Sequence, residues 1–316
     1  MQKFKRVAVI AKPQGNISRC VRDLIDTIVG AGCVPCLDLN AAAHMPEDCP
    51  WETGPAEKIT AGCDVAVAIG GDGTMLGAAR STAEHRIPVI GINAGRLGFI
   101  TDIVLEDMHR LLPAMLNGQY VVDERRMLKG TLMRRGRELF EGTAVNDIGI
   151  SHGRALGMVE YTVYVDGLQM SVQRADGVLV STATGSTAYA MAAGGPIMHP
   201  SVASMLLVPI APHTLSNRPI VLGSHTVIDI EVNETRSAVA SFDAQILLDV
   251  QAGDVLRVRV SEDRFTMLHP VGYNHFDLLR RKLKWNYLPQ AERPIHTPLQ
   301  DQTTPAQIIR PSGKEK

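Results

Sequence analysis

The sequence predicts a chain of two classes: an N-terminal Rossmann-like parallel α/β domain, then an all-β, β-sandwich-like domain, with a closing C-terminal helix. Three observations carry this. Short apolar runs alternate with segments of helical period over residues 1–120, the pattern of a parallel sheet with right-handed crossovers. Beyond Tyr120 the helical period fades and short alternating runs bounded by turn residues take over, to about residue 272. Residues 273–285 return to helical spacing, with Leu278, Leu279 and Leu283 on one face.

Taken in order, Val7-Ala8-Val9-Ile10-Ala11 is the first strand. Val21, Leu24, Ile25, Ile28 and Val29 follow at helical spacing, with Ser18 as N-cap and Gly30 near the C-terminal end. Residues 34–39 are the second strand and 40–55 a loop, and strands return at 65–69 and 88–92. A helix spans the region around 106–116. In the second half, strands are expected over 127–134, 139–145, 158–165 and 168–173, the last two joined by an Asp166-Gly167 hairpin turn. Further strands fall over 206–209, 226–232, 238–242 and 255–260. The expected organisation is a nucleotide-binding domain at 1–120, a β-rich domain at 121–272 and a helix at 273–285 packing back on the first domain. Residues 286–316, with Pro, Gln and Thr and no period, read as a disordered tail.

Hydrophobic residues are 45% of the chain and charged residues 21%, which is a globular composition. A formal net charge of −1 with 4% aromatics argues against a nucleic-acid surface. The apolar run at 7–11 is too short for a signal-peptide core or a membrane span, so the expected location is cytoplasmic, with no membrane partner. All five cysteines lie in the first 63 residues. Cys33 and Cys36 are spaced as a CxxC pair, but on a strand they face opposite ways, and Cys20, His44, Cys49 and Cys63 do not complete a zinc spacing. Reduced thiols are the expectation.

The chemistry points to Gly70-Gly71-Asp72-Gly73-Thr74, a glycine turn where a fully apolar strand hands over to a helix. Open α/β sheets bind ligands at the carboxyl ends of their strands. Without Cβ atoms the backbone approaches a polyanion closely, and Thr74 is placed to cap a helix whose free N–H groups favour phosphate. The turn is no Walker A loop, because no Gly-Lys-Ser/Thr follows, and Gly71, Gly73 and Gly77 miss the dinucleotide spacing by one residue. A passive phosphate cradle gains nothing from Asp72, which makes it a candidate general base or Mg²⁺ ligand. The strand at 88–92 ends in a second glycine-rich loop, Asn93 to Ile100, expected on the same sheet edge.

Two polar clusters break the strand pattern of the second half. One is Asn146-Asp147, read as the end of a strand. The other is the run from Asp176, where a buried strand enters Ser181-Thr182-Ala183-Thr184-Gly185-Ser186-Thr187 and a small-residue helix that Gly194-Gly195 stops. Clustered hydroxyls and exposed N–H groups suit phosphate and ribose, and carboxylates suit ribose hydroxyls.

Gly70-Gly-Asp-Gly-Thr74, Asn146-Asp147 and the stretch from Asp176 through Thr184-Gly-Ser-Thr-Ala-Tyr189 together resemble the NAD kinase family, in matching order over about residues 5–285 and in the layout of its bacterial form. The Gly-Gly-Asp-Gly turn alone is shared with diacylglycerol, sphingosine and phosphofructo-kinases. The Thr-Gly-Ser-Thr-Ala-Tyr run is far more specific. The resemblance implies Mg²⁺-dependent transfer of the ATP γ-phosphate, or of a phosphoryl group from polyphosphate in some members, to the 2′-hydroxyl of the adenosine ribose of NAD, giving NADP. It implies that Asp72 is the general base, with Gly71 and Gly73 in the nucleotide site. It implies substrate contacts for Asn146, Asp147, Arg174, Asp176, Thr187, Ala188, Tyr189, Ala190, Met191, Ala192 and Gln245. The family usually carries Asn-Glu at the first pair; Asp147 is one methylene shorter. It also implies a homo-oligomer, dimer or tetramer, with NAD bound partly across a subunit contact. A lipid kinase and a catalytically silent dinucleotide sensor are the alternatives.

Overall fold

The protein is described here as a computed structural model covering residues 3–95, 98–153 and 157–285. The expected disordered tail, 286–316, lies outside the described residues.

The first half alternates strands and helices: β1 (Arg6–Ala11), α1 (Ser18–Gly30), β2 (Val34–Asp38), α2 (Leu39–Ala42), β3 (Glu52–Gly54), α3 (Ala56–Thr60), β4 (Val65–Gly70), α4 (Asp72–Ala83), β5 (Val89–Asn93), β6 (Ile103–Val104) and α5 (Leu105–Leu116). The strands pair in parallel in the order β3-β2-β1-β4-β5-β6. The chain therefore winds outward from β1, then jumps back across it to β4, and that reversal opens a crevice at the carboxyl ends of β1 and β4. β4 is buried at every position because both sheet faces are covered. Its side chains divide with period two: Val65, Val67 and Ile69 join the core containing α1 and α5, while Ala66 and Ala68 join the core under α4. Cys33 and Cys36 divide the same way, and all five cysteines are free thiols.

The second half contains β7 (Tyr120–Arg134), β8 (Arg137–Ala144), β9 (Asp147–His152), β10 (Val159–Val165), β11 (Leu168–Ser181), α6 (Tyr189–Ala192), β12 (Ser204–Pro212), β13 (Ile220–Gly223), β14 (Ile228–Glu234), β15 (Ala238–Phe242), β16 (Ile246–Val250), β17 (Asp254–Pro270) and α7 (His275–Leu283). β7 and β17 pair antiparallel along nearly their whole lengths, with a register shift between Val260 and Arg264. Beyond the shift they lie beside β5, where Met267 is opposite Val89. Before it they open a two-layer structure. One layer runs β8-β7-β17-β14-β10 and takes in the first half of β11. The other runs β13-β12-β11-β9-β15-β16 through the second half of β11. Inward residues of both layers, Leu128, Ile148, Val163, Val178, Leu207, Ile230, Phe242 and Val258 among them, make one core.

Several local expectations differ. Helix α1 begins at Ser18, so Ser18 is not its cap; its hydroxyl pairs instead with His44 Nδ1 at 3.0 Å. Helix α4 begins at Asp72 after Gly71, so Thr74 sits inside the first turn rather than capping it. Asn146-Asp147 does not end a strand: Asp147 starts β9. Residues 40–55 hold α2 and β3 rather than a plain loop. The small-residue helix is a 3₁₀ turn, Gly185–Thr187, followed by the single turn α6, with no side-chain cap on either. Strand β17 is far longer than the apolar run at 255–260, because the charged residues Glu262, Asp263 and Arg264 at its register shift interrupt the apolar pattern before the buried Phe265 and Met267. No described helix is long and apolar enough to cross a membrane.

Candidate active site

Asp72 is the first residue of α4, at the carboxyl end of β4. Its carboxylate is held by the neighbouring loop. Oδ2 accepts from the Phe99 amide at 2.8 Å, and Oδ1 accepts from the Ile100 amide at 3.3 Å and the Thr101 hydroxyl at 3.2 Å. Thr101 in turn accepts from Asn93 Nδ2 at 2.8 Å, at the end of β5. The second glycine-rich loop thus folds over the first and grips its acid. Gly98 makes this possible, since a Cβ there would overlap Asp72 Oδ1 and Thr101 Oγ1. A carboxylate has about four acceptor directions. Among the described residues three are filled, all from this loop, and one on Oδ2 has no described donor.

The second junction is Asp243, in the tight turn between β15 and β16. Asp243 and Ala244 both lie in the left-handed region, at φ 52° and 53°. The Asp243 side chain is fully buried, and its carboxylate accepts four hydrogen bonds. Arg80 Nη1 of α4 donates at 2.8 Å, and the amides of Val145, Asn146 and Asp147 at 3.0, 2.7 and 3.2 Å. One acid therefore shapes the Asn146-Asp147 corner and ties it to the helix that begins at Asp72. Gln245 adds a second tie: its Nε2 donates to the Gly73 carbonyl at 3.0 Å, and its Oε1 accepts from Arg80.

The hydroxyl run packs against the same corner. The Thr182 amide donates to the Asn146 carbonyl at 2.8 Å, and the Thr182 hydroxyl to the Val145 carbonyl at 2.6 Å. Gly185 rides directly on Asn146, where a Cβ would overlap the backbone. The other hydroxyls also turn inward. Ser186 donates to the Ala183 carbonyl at 2.7 Å and accepts from the Met198 amide at 2.9 Å, and Thr187 donates to the Thr184 carbonyl at 3.3 Å. These hydroxyls donate inward and hold the run against the corner.

Asp147 is buried, and its carboxyl is pushed up to about 7, first by burial and then by the charge of Asp243. Gly71, Asp72, Gly73, Asn146, Asp147 and Gln245 are thus gathered into one cluster, bordered by Thr187. Ala188 and Met191 are half-buried, Ala190 is buried, and Tyr189 and Ala192 are exposed. Arg174 and Asp176 are not in the cluster. They lie on β11 upstream of Ser181, which pairs with Asp147. At about 3.3 Å per residue Asp176 is roughly 17 Å along the strand from that pair.

Three residues escaped the sequence reading: Arg80, Asp243 and Thr101. Arg80 carried a faint signal as a lone cation after the small apolar stretch at 75–79. Asp243 stands in the Phe242-Asp-Ala-Gln245 run, where an acid next to a small residue at a strand end marks a turn but not its partners.

The description "ATP-NAD kinase N-terminal domain" matches residues 34–120, and "ATP-NAD kinase C-terminal domain" matches residues 145–269. An NAD kinase of Polaromonas naphthalenivorans is 47% identical over 285 residues, covering 90% of this chain and 98% of that protein. An NAD kinase of Cupriavidus pinatubonensis is 51% identical over 237 residues, covering 75% and 78%. Among solved structures, a yeast NADH kinase complexed with NADH aligns with TM-score 0.83 at 22% identity over 90% of this chain and 89% of that one. An Archaeoglobus fulgidus NAD kinase in complex with ATP aligns with TM-score 0.66 at 24% identity over 88% and 97%. The structural likenesses show the fold; the two matched domains and the identity across nine-tenths of the chain show that it belongs to the NAD kinase family, a family of phosphotransferases.

Proposed function

We propose that this chain transfers the γ-phosphate of ATP to the 2′-hydroxyl of the adenosine ribose of NAD, with Asp72 as the group that receives the hydroxyl. The observation that carries the reading is the acceptor direction on Asp72 Oδ2 that no described residue fills, at a helix start tied to the Asn146-Asp147 corner through Arg80, Asp243 and Gln245. In this reading Gly71 and Gly73 let the phosphates approach the start of α4, whose free N–H groups and dipole favour anions. Asn146, Asp147 and the 187–192 stretch hold the dinucleotide. Phosphoryl transfer proceeds through a loose transition state, so positioning and charge neutralisation matter more than an early proton transfer. Orientation of the hydroxyl by Asp72 is the larger part of its role.

Among the described residues no group of three or more acidic, histidine or cysteine side chains is placed to hold a metal. Mg²⁺ keeps several waters and binds nucleotide phosphates with few protein ligands, so the residues present suit an ion carried on ATP rather than in a protein cage. There it would neutralise charge on the transferring group.

Arg174 and Asp176 fit a dinucleotide bound across a subunit contact. The preceding stretch of β11 exposes Leu168, Met170 and Val172 on one face, an apolar row that supports a homo-oligomeric reading. Light scattering gives the mass directly, and a monomer removes this part of the proposal.

The test is an assay pairing NAD or NADH with ATP or polyphosphate and Mg²⁺, with diacylglycerol as a lipid control. NADP formed by the wild type, and a rate lowered by about 10²–10⁴-fold in Asp72→Asn with NAD binding retained, is the expected result. Phosphorylation of the lipid, or tight NAD binding without any product, sinks the reading.

A further inference from the structure

The mechanism leaves unused a buried row of charges behind the Asp72 loop. His269, near the end of β17, has no exposed surface. Its Nδ1 lies 2.5 Å from Asp102 Oδ2 and its Nε2 lies 3.1 Å from Asp123 Oδ2. Asp123 also receives Arg125, from Nε at 2.8 Å and Nη2 at 2.6 Å. Arg125, itself buried, donates from Nη1 to the Thr184 hydroxyl at 3.2 Å. Tyr273 lies flat on the imidazole, ring centroids 3.7 Å apart and planes 5° from parallel.

A neutral imidazole has one N–H and one lone pair. With a carboxylate oxygen against each ring nitrogen, the neutral ring would aim its lone pair at an anion; only the imidazolium donates to both. The cluster is then two anions alternating with two cations. It joins three segments that build the candidate site. Asp102 directly follows the 99–101 residues that grip Asp72, Asp123 and Arg125 belong to β7, and Thr184 belongs to the hydroxyl run under Asn146.

We infer that His269, as an imidazolium clamped between Asp102 and Asp123, is a positioning residue for phosphoryl transfer: it pins the loop that aims Asp72 to the β7–β17 strand pair and, through Arg125, to the hydroxyl run. The inference rests on the reading of Asp72 as the substrate-facing group. Losing the His269 proton leaves a carboxylate facing a lone pair and slackens the loop, so the pin is released on the alkaline side.

Arg125 and Tyr273 bear on the cluster directly, and Arg110 of α5 with Asp277 and Arg281 of α7 line the cavity beside Asp102 and Tyr273. Burial pushes the imidazole down, but the two carboxylates outweigh it and hold it above its usual range. Burial raises the Asp123 carboxyl, but His269 and Arg125 override it and hold it well below the carboxylate range. Tyr273 is pushed up to about 12, mainly by burial. His275, beyond Tyr273, is pushed down to about 4, first by burial and then by Arg125 and the neighbouring His199. The two facing carboxylates thus hold the imidazolium form of His269 beyond its ordinary range, and the alkaline limb follows the loss of that proton.

The test follows the ring nitrogens of the full-length protein by ¹⁵N NMR, and kcat and KM for NAD and ATP, from about pH 6 to about pH 10. The expected wild-type result is a doubly protonated ring at neutral pH, with kcat falling at the midpoint where the ring loses its proton. Asp102→Asn, which removes one facing charge, should move both midpoints to lower pH together. His269→Gln, which cannot donate to both carboxylates, should lower kcat by about 10²-fold with a much smaller change in either KM, as misplacement of a reacting group does. It should also speed amide exchange at Phe99 and Ile100 and abolish the alkaline limb. A neutral ring at pH 7 overturns the inference, as do midpoints that move apart in Asp102→Asn, or a wild-type kcat in His269→Gln. Should His269→Gln not fold, the Asp102→Asn midpoints decide alone. Should the wild type make no NADP, the kinase reading fails, while the ring titration and the exchange at Phe99 and Ile100 still decide whether the pin exists.

Discussion

Replacing Asp243 by Asn tests whether one buried acid holds the site together. The substitution keeps the shape, and Asn tolerates the left-handed φ of 52° as Asp does, so the turn itself is not strained. What changes is the ability to accept. The carboxylate takes Arg80 and Val145 on Oδ2, and Asn146 and Asp147 on Oδ1. An amide keeps an oxygen for one pair only and turns an NH₂ toward the other. With the oxygen toward Asn146 and Asp147, the variant loses a charge-assisted bond from Arg80, worth about 1.5–3 kcal/mol, and leaves the Val145 amide unpaired at about 1–3 kcal/mol. The expected destabilisation is about 3–5 kcal/mol, in line with breaking a buried ion pair from one side. Urea unfolding measures it. Arg80→Met removes only one of the four donors, from a side chain 21% exposed, and should cost less. The double variant should show strong non-additivity, because the two residues share one contact. Kinetics should report the geometry as well, with KM for NAD raised in Asp243→Asn as the 145–147 corner loosens. Stability within about 1 kcal/mol of wild type, with unchanged KM, would refute the assignment of Asp243 as the junction.

Three further outcomes are open to measurement. Asp147 titrates near 7 when folded and near 3.9 when unfolded, so the native state keeps a proton the unfolded chain has released, and stability should fall as pH rises from about 4 to about 7. Asp147→Asn should remove that slope and raise stability at pH 8 by at most about 4 kcal/mol in denaturant titrations; an unchanged slope contradicts the elevated carboxyl. Gly98→Ala forces a methyl onto Asp72 Oδ1 and Thr101 Oγ1, so kcat should drop by about 10²-fold while NAD still binds in calorimetry; normal turnover would show that Asp72 needs no such grip. Gly185→Ala drives a Cβ into the Asn146 backbone, which cannot rotate away, and should destabilise by about 1–3 kcal/mol and raise KM for NAD, while a neutral result would mean the run and the corner are not packed as described.

The parts of this molecule legible in the sequence were those governed by local pattern. The run at 65–69 reads as a strand because both faces of β4 are covered, and the turn after it reads as a site because a charged residue interrupts small ones at a strand end. The long strands were half legible. The apolar run at 255–260 shows, but β17 continues to Pro270 through Glu262, Asp263 and Arg264, which fall at a register shift where the alternation breaks. Of the joins, only the shared sheet edge of the two glycine loops was legible, and no pair of partners was. Asp72 meets Phe99 across 27 residues, Arg80 meets Asp243 across 163, and His269 meets Asp102 across 167. No local periodicity encodes a partner at that distance. The hydroxyl run shows its composition but not its partners: Thr182 donates to the Val145 carbonyl, and Ser186 and Thr187 donate to carbonyls within the run.

Three carboxylates sit in this one site, and the number of donors each receives separates their roles. Asp243 receives four, three of them backbone amides from one corner, and has no exposed side-chain surface left to meet a substrate. It is a strut. Among the described residues Asp72 receives three, all from a single loop, enough to fix its orientation while one acceptor direction stays open to a hydroxyl. Asp147 receives none among the described residues, only burial and the charge of Asp243 beside it, and so it holds its proton to about pH 7. A carboxyl in that condition can donate a hydrogen bond as well as accept one. Its partner in the dinucleotide is therefore an acceptor when the acid is neutral, or a pair of ribose hydroxyls that draw the proton off on binding. The two cases differ in sign: binding that favours the neutral acid takes up protons from solution above pH 7, and binding that favours the carboxylate releases them below it. Calorimetry of NAD binding in buffers of different ionisation enthalpy reads that sign directly, and loss of the proton linkage in Asp147→Asn assigns it to this residue. A binding heat independent of buffer, on both sides of neutrality, would refute the idea that Asp147 titrates in the site.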